Sequence, residues 1–554
     1  MTVSGQLALD GFVSSDAGVA VRRSSSLYGV HAYHTKIPAE AITGFIEAHS
    51  EPGDVVLDPF CGSGMTGVAA GLIDRRAVLN DLSPAAVHIA SNYTAPCDPA
   101  AFNDAVRRVL HQVGDRIADL YRTTHDGRAA QIEYLVWSEL RRCTACGEDL
   151  LLWNAREAGL RSLTCPRCRH EAAKADLPIV GERAVEANLS RPGGQRIVRP
   201  AVEADLRPDL DLPGLPWYPD MPFDASRPMW RRGHDDLGIT SVADFYSERN
   251  LTALSLLWDA ASNEPEERLR SALRFSLTAI ANRASRRYQW NAKRPTNVLG
   301  GTLYISSLRY EWNVLSLWQR KTRAVTKLFA ARVAAPGAVD VVQGSATALP
   351  LADESIDYCF TDPPFGSHIV YSDASLLWEA WLNDLTDRER EAIVVRTGDQ
   401  AKTVDDYGAL LRGAFGEIRR VLRPRARATV VFQASDPDTW SAVYDAAAQV
   451  GLGFLEATTL SKGQPSFKQI KGQREGEMVA ETDVVLTFSR EASPRHLALG
   501  ITAEDAVRAA SRAALAAGRP TSAGALFADV NARLLRGAAR PIGIRDVRKL
   551  LDQI

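Results

Sequence analysis

The sequence predicts an α/β protein built on a doubly wound, largely parallel sheet. Three observations predict it. Asp54-Val55-Val56-Leu57 is a short apolar run that ends in Asp58, a glycine turn (Phe60-Cys61-Gly62-Ser63-Gly64) and a helical stretch, Thr66 to Ala70. Ala77-Val78-Leu79 is a second run, ending in Asn80-Asp81. Ser355 to Thr361 is a third, ending in Asp362-Pro363-Pro364-Phe365. Apolar runs of strand length, punctuated by turns and alternating with helices, indicate strands buried on both faces.

The first element is a strand, a tight turn and a helix in that order. Glycines let the backbone turn sharply and come close to a ligand. The helix start adds free N–H groups and the positive end of its dipole. An acidic residue after the second strand typically takes ribose hydroxyls, and Asp81 follows Gly64 at close to the expected ~20 residues. The pair points to a nucleoside-bearing cofactor.

The later elements continue the alternation. Val339 to Ala346 reads as a strand and turn, and Ser355 to Thr361 as the buried strand before Asp362. Ala428 to Gln433 follows a helix that ends near Arg423-Pro424, Trp440 to Val450 reads as the next helix, and Glu481 to Phe488 as the last strand. The polar loop Ser466 to Gly472 is placed at the border of the target pocket. Functional groups in such sheets gather at the C-terminal ends of strands, where Asp58, Asp81 and Asp362 fall.

Asp-Pro-Pro-Phe suits one chemistry. An aromatic amine is a weak nucleophile because its lone pair is delocalised into the ring. Asp362 can accept one amino N–H and the Pro363 carbonyl the other, which frees the lone pair for attack. Phe365 can stack on a base flipped out of a duplex. Such a site works by positioning and charge placement.

The bulk numbers set bounds. The chain has 554 residues, 45% hydrophobic and 24% charged, enough for several domains and a large core. A net charge of −2 confines any nucleic-acid surface to a local patch. No apolar run approaches the ~18–20 residues of a membrane helix, and no signal pattern opens the sequence, so a cytoplasmic protein without membrane contact is expected. Four of the seven cysteines form two C-x-x-C pairs.

Phe60-Cys61-Gly62-Ser63-Gly64 resembles the F-x-G-x-G motif of S-adenosylmethionine-dependent amino-methyltransferases. His34-Thr35-Lys36-Ile37-Pro38 and Glu51-Pro52-Gly53-Asp54 resemble the segment that precedes it in DNA methylases, where it lies over the methionine part of the cofactor. Asp362-Pro363-Pro364-Phe365 resembles the D-P-P-Y/F signature of N6-adenine enzymes; cytosine-N4 enzymes more often begin it with Ser. The arrangement of residues 25–490 is similar to adenine-specific DNA methylases with a zinc ribbon. Gly238-Ile239-Thr240, Asp244-Phe245-Tyr246 and Tyr371-Ser372-Asp373 add to the likeness. The resemblance implies a Rossmann-like methyltransferase sheet and S-adenosyl-L-methionine held by Lys36, Asp58, Phe60, Gly62, Gly64, Thr66, Asp81 and Ser345. It implies a flipped adenine at Asp362, Pro363, Pro364 and Phe365. Its setting is restriction–modification or phage defence, with partner proteins of such a system. Cytosine-N4 methylation, RNA base methylation and a DNA-binding subunit with a vestigial site are the alternatives.

Between the halves lie residues 96–335, too long to be a structureless loop. Cys143, Cys146, Cys165 and Cys168 have the C-x2-C-x18-C-x2-C spacing of a structural zinc ribbon, expected over 141–172. A proline- and aromatic-rich stretch follows, including Pro213, Trp217, Tyr218, Phe223 and Trp230, for which packing is expected. Residues 268–310 carry many arginines and no Asp or Glu. Arg283, Arg286, Arg287, Lys293 and Arg294, with Tyr288 and Trp290 among them, form the expected phosphate-contacting patch. The expected division is 1–95 and 336–490 for the two parts of the catalytic domain, 96–335 for the insertion, and 491–554 for a helical module.

Overall fold

The computed structural model describes residues 19–20 and 27–553, apart from 158, 192–193, 207–213, 292–297, 332, 336, 368, 396–399, 435–436, 462–481 and 493–499. Its centre is an eight-stranded sheet. The strands are β1 (Val19–Ala20), β2 (Val55–Asp58), β3 (Arg76–Asp81), β4 (Val339–Gln343), β5 (Ile356–Thr361), β6 (Leu422–Phe432), β7 (Gly453–Ser461) and β8 (Asp483–Ser489). Their spatial order is β1-β7-β8-β6-β5-β2-β3-β4. β2 to β6 are parallel neighbours, and β8 runs antiparallel between β6 and β7.

Successive side chains of a strand point to opposite faces. Val56, Tyr358 and Phe360 therefore enter one core, with the helices Ala39–His49, Met65–Leu72 and Pro84–Thr94. Leu57, Cys359, Val430 and Phe432 enter the other, with Val404–Val421 and Pro437–Gln449. Cover on both faces explains the continuous apolar runs. The sheet order reverses between β2 and β5, because the chain moves outward through β3 and β4 and then returns to the far side of β2. A crevice opens at the carboxyl ends of the strands at such a switch point.

The segment between the halves builds a second, antiparallel sheet around the long strand Arg128–Arg142, paired with Ile179–Ser190 and Leu308–Trp312. Its helices Pro99–Leu120, Glu248–Ser262, Glu267–Ala284 and Val314–Ala331 share one continuous core with the central sheet. Trp318 is fully buried there and donates its indole N–H to Ser276 Oγ at 2.7 Å. The proline-rich stretch packs in part: Trp217 stays 46% exposed. Phe223 is buried, and Trp217 meets Trp258 and Trp381. Pro213 lies outside the described residues, as does the 466–472 loop.

The helices Ala503–Ala516, Ala523–Arg536 and Ile544–Leu551 have their own apolar cluster. Ala528, Ala532 and Leu535 extend the middle helix into the core of the central sheet, so this tail caps β7 and β8. Among the described residues, no helix is long and apolar enough to cross a membrane.

Candidate active site

The glycine turn is fixed by two carboxylates. Asp58, at the end of β2, accepts the Thr66 hydroxyl at 2.6 Å on one oxygen. Its other oxygen accepts the Thr361 hydroxyl at 2.8 Å and the Phe60 N–H at 3.2 Å. Asp81, at the end of β3, accepts the Gly62 N–H at 2.8 Å and the Ser83 N–H at 2.9 Å. Burial pushes both carboxyls up, to about 6 in each case, against the pull of these hydrogen bonds. Asn80 clamps the turn from beside them, donating to the carbonyls of Pro59 and Gly344.

Two glycines are required here. Gly62 has φ +49°, and a Cβ on it would lie 2.7 Å from the Tyr33 ring. Gly64 has φ +76° at the start of the Met65–Leu72 helix, and a Cβ on it would lie 2.7 Å from that of Ala90. Gly64 thus serves close helix packing and is not among the residues that line the cavity.

An open cavity of about 990 Å³ lies over this turn. Lys36, Asp58, Phe60, Gly62, Thr66, Asp81 and Ser345 line it, and so do Asp362 and Pro364. The two motifs, far apart in sequence, therefore face one space. Tyr33, Tyr371, Thr386 and Glu391 also line it, and the motif reading missed them. Tyr371 was visible in sequence only as part of a resemblance; its hydroxyl pairs with Thr35 Oγ1 at 3.2 Å.

Lys36 reaches the cavity wall, but its ammonium is turned into the protein. It donates to the Tyr28 carbonyl at 2.8 Å and the Tyr93 hydroxyl at 2.9 Å. Burial lowers it to about 7. Glu379, fully buried, accepts from Ser83 Oγ at 2.6 Å and from the Thr386 N–H at 2.9 Å, and burial raises it to about 7. It ties the loop after Asp81 to the segment after the Asp-Pro-Pro-Phe motif.

The role expected for Phe365 needs correction. Its ring is buried in the second core, edge-on to Phe432 at 5.3 Å between centroids, because a phenyl ring gains more there than at an open rim. In this conformation the aromatic rings that line the cavity are Tyr33, Phe60, Phe360 and Tyr371. The Pro364 carbonyl is held by the Tyr407 hydroxyl at 2.6 Å, which fixes the loop.

The basic patch is corrected at Arg286 and Arg287. Arg287 is 3% exposed and donates to the carbonyls of Leu299 and Thr302 and to Asn282. Arg286 pairs with Glu182 at 2.9 Å, and Arg309 pairs with the same carboxylate. Arg268 ties its helix to the Ala95 and Pro96 carbonyls. These guanidiniums donate to acceptors of the protein itself. Tyr288 and Trp290 are packed as well, against Tyr310 and Trp153. Arg283 is exposed, and Lys293 and Arg294 lie outside the described residues.

The four cysteines do converge. Their sulfurs all lie within 4.8 Å of one another. Cys143 and Cys168 are 3.7 Å apart, and Cys146 and Cys165 are 3.6 Å apart. A tetrahedron with metal–sulfur bonds of ~2.3 Å has edges of about 3.8 Å, whereas a disulfide needs ~2.05 Å. The cluster therefore suits one zinc-sized ion. The two knuckles match: the Gly147 N–H bonds the Cys143 carbonyl and the Arg169 N–H bonds the Cys165 carbonyl, both at 3.0 Å and both residues with positive φ. His170 contacts Thr144 from outside.

Comparison with known proteins adds a family signal over the first motif. Residues 15–92 match the family model of DNA methylases. A 61-residue stretch is 46% identical to the type II methyltransferase M.Cfr9I of Citrobacter freundii, covering 11% of this chain and 20% of that protein. An 81-residue stretch is 37% identical to M.XycI of Xanthomonas campestris pv. cyanopsidis, covering 14% of this chain and 27% of that protein. The chain thus spans about a fifth to a quarter of the curated relatives it matches. Among solved structures, a 16S rRNA (adenine(1408)-N(1))-methyltransferase from Catenulisporales acidiphilia overlaps 32% of this chain and 74% of its own, at 17% identity and a TM-score of 0.18.

Proposed function

We propose that this protein transfers a methyl group from S-adenosyl-L-methionine to the exocyclic N6 of adenine in DNA. One observation carries the reading: Asp362 lines the same cavity as the glycine turn and Asp81. The match of residues 15–92 to DNA methylases supports DNA as the substrate, and the type II relatives support a restriction–modification setting. The aspartate that opens the motif favours adenine over cytosine, whose N4 methylation is the nearest alternative.

S-adenosyl-L-methionine, when bound, supplies an electrophilic methyl on a positive sulfur. The chain's own residues do the rest. Asp81 has lone pairs to spare for the ribose hydroxyls beyond its two backbone bonds. The Gly62 turn lets the backbone approach the methionine part. Asp362 accepts one N–H of the target amine, stabilises the positive charge that develops on that nitrogen as the methyl leaves sulfur, and is placed to receive the proton it releases; the Pro363 carbonyl accepts the second N–H. Tyr371 and Tyr33 offer aromatic faces to a flipped base in place of Phe365. The cysteine cluster holds structural zinc away from the chemistry.

The deciding experiment is transfer of labelled methyl from S-adenosyl-L-methionine to duplex DNA and to RNA in parallel, with digestion to nucleosides. N6-methyldeoxyadenosine is expected. The Asp362→Ala variant is expected to lose transfer by ~100-fold or more while still binding DNA. Label on deoxycytidine N4 would move the target base, and label in RNA alone would overturn the DNA reading.

A further inference from the structure

A second open groove, of about 1240 Å³, lies on the other side of the loop that follows the Asp-Pro-Pro-Phe motif. Pro364 and Tyr371 line the first cavity, whereas Ser367 and Val370 line the groove, so one loop is the wall between them. The other walls come from the segment between the two halves and include Arg141, Lys174, Arg231, His234 and Tyr304.

The loop that carries Tyr304 is held from inside the protein. Arg287 donates to the Leu299 carbonyl at 3.3 Å and to the Thr302 carbonyl. His234 Nε2 donates to the Leu303 carbonyl at 3.1 Å, and its Nδ1 accepts the Arg231 N–H at 2.9 Å. The loop also abuts the shared wall: a Cβ on Gly301, at φ +67°, would lie 3.2 Å from the Ile369 side chain. Buried groups thus fix the backbone, yet the residue it presents, Tyr304, is 45% exposed. The Tyr304 hydroxyl bonds the Ser307 side chain, which tethers the ring at the groove wall.

Charge favours an anionic strand here. Glu139 is the one carboxylate among the described lining residues, and Arg141 pairs with it at 2.8 Å. Lys174 donates to Ser307 Oγ at 2.9 Å. Arg231 is exposed and uses Nη1 on the Pro228 and Trp230 carbonyls of its own loop. A guanidinium has five N–H donors, so Arg231 keeps several for a phosphate.

We propose that this groove takes the DNA strand beside the flipped base, with Tyr304 stacked on a neighbouring base and Arg231 on a phosphate. The inference rests on the reading of the first cavity as a nucleobase site. Successive nucleotides of a strand are ~3.4 Å apart along the duplex axis, so the neighbours of a base in that cavity pass over its wall. Flipping unstacks the adjoining bases, and an aromatic ring can hold such an exposed face whatever the sequence.

The test uses a fluorescein-labelled duplex oligonucleotide carrying the methylated site mapped by the labelling assay, with S-adenosylhomocysteine present. Kd is measured by anisotropy over a range of salt. It is expected to rise about tenfold in Tyr304→Ala, the scale of one lost base stack, and to stay near wild type in Tyr304→Phe. Arg231→Gln should flatten the plot of log Kd against log salt by about one unit of slope, and Arg231→Lys should restore it. With 2-aminopurine on either side of the target base in turn, fluorescence should be lower in the wild-type and Tyr304→Phe complexes than in the Tyr304→Ala complex, which a purely structural role would not cause. Unchanged affinity for S-adenosylhomocysteine shows that the variants are folded, and Tyr304→Leu carries the comparison if Tyr304→Ala fails that check. Wild-type Kd in the folded Tyr304 variants, or an unchanged salt slope in Arg231→Gln, would overturn the assignment while DNA methylation by the wild type kept the reading of the cavity. A wild type that labels RNA alone, or no nucleobase at all, removes that reading and the inference with it.

Discussion

The Thr361 hydroxyl donates to Asp58 Oδ1 at 2.8 Å, across 303 positions of sequence. Thr361 immediately precedes Asp362, and Asp58 begins the glycine turn. The bond joins the ends of β2 and β5 where the sheet order reverses, so it holds the two motifs in register. Both residues are buried, at 0% and 4% exposure. Thr361→Val keeps the shape but removes the donor and leaves a buried carboxylate one bond short. A loss of ~1–3 kcal/mol of stability is expected in denaturant unfolding, with weaker cofactor binding. Thr361→Ser should retain most of both. A Val variant as stable and as tightly binding as wild type would show that the bond does not hold the site.

Asp58 and Asp81 are both raised to about 6 by burial, from an ordinary value of 3.8. The sign of the consequence differs for stability and for binding. Between ~4 and ~6 the folded state holds more protons than the unfolded one. These groups therefore favour the fold at the acid end of that window, and the contribution is lost as pH rises through about 6. In the proposed site the ionised Asp81 takes the ribose hydroxyls, so affinity for S-adenosyl-L-methionine should fall as pH drops below about 6. Calorimetric titration and thermal unfolding from pH 5 to 8 check the two trends. Affinity that is flat across this range would remove Asp81 from the cofactor site.

Phe365 is placed as a core residue by its contact with Phe432. Truncation to Ala should cost ~3–5 kcal/mol through the cavity it leaves. A variant that lost only catalytic rate, with unchanged unfolding, would return Phe365 to the base-stacking role first expected of it.

The parts of the site legible in sequence were those set by neighbours in the chain. β2 with its turn, β3 with Asp81, and β5 with Asp362 each declare themselves within about ten residues. β7 was not read in the sequence, because its run, Gly453 to Ser461, mixes apolar and polar residues. The arginines misled for a related reason. A one-signed stretch shows charge but not direction, and Arg268 finds its partners at Ala95 and Pro96, on the far side of the insertion sheet's sequence. Arg286 and Arg309 share Glu182 in the same way. Glu391 has no local signature at all. Its position beside the motif depends on the Val394–Gly366 contact, which only the folded chain makes.

The cysteine cluster gives the last prediction. Each knuckle is held by its own backbone bonds, and the sulfur spacing suits a single tetrahedral ion. Trp153, beside the cluster, packs against Trp290 at 4.7 Å between centroids, which links the cluster to the insertion sheet. Purified protein should therefore contain about one zinc per chain by elemental analysis. Cys143→Ser or Cys168→Ser should lower that content and shift the tryptophan fluorescence. The four cysteines do not line the candidate cavity, so binding of S-adenosyl-L-methionine should persist in these variants. Protein without bound metal, with the four sulfurs recovered as disulfides, would show that the cluster is an oxidisable set of thiols and not a metal site.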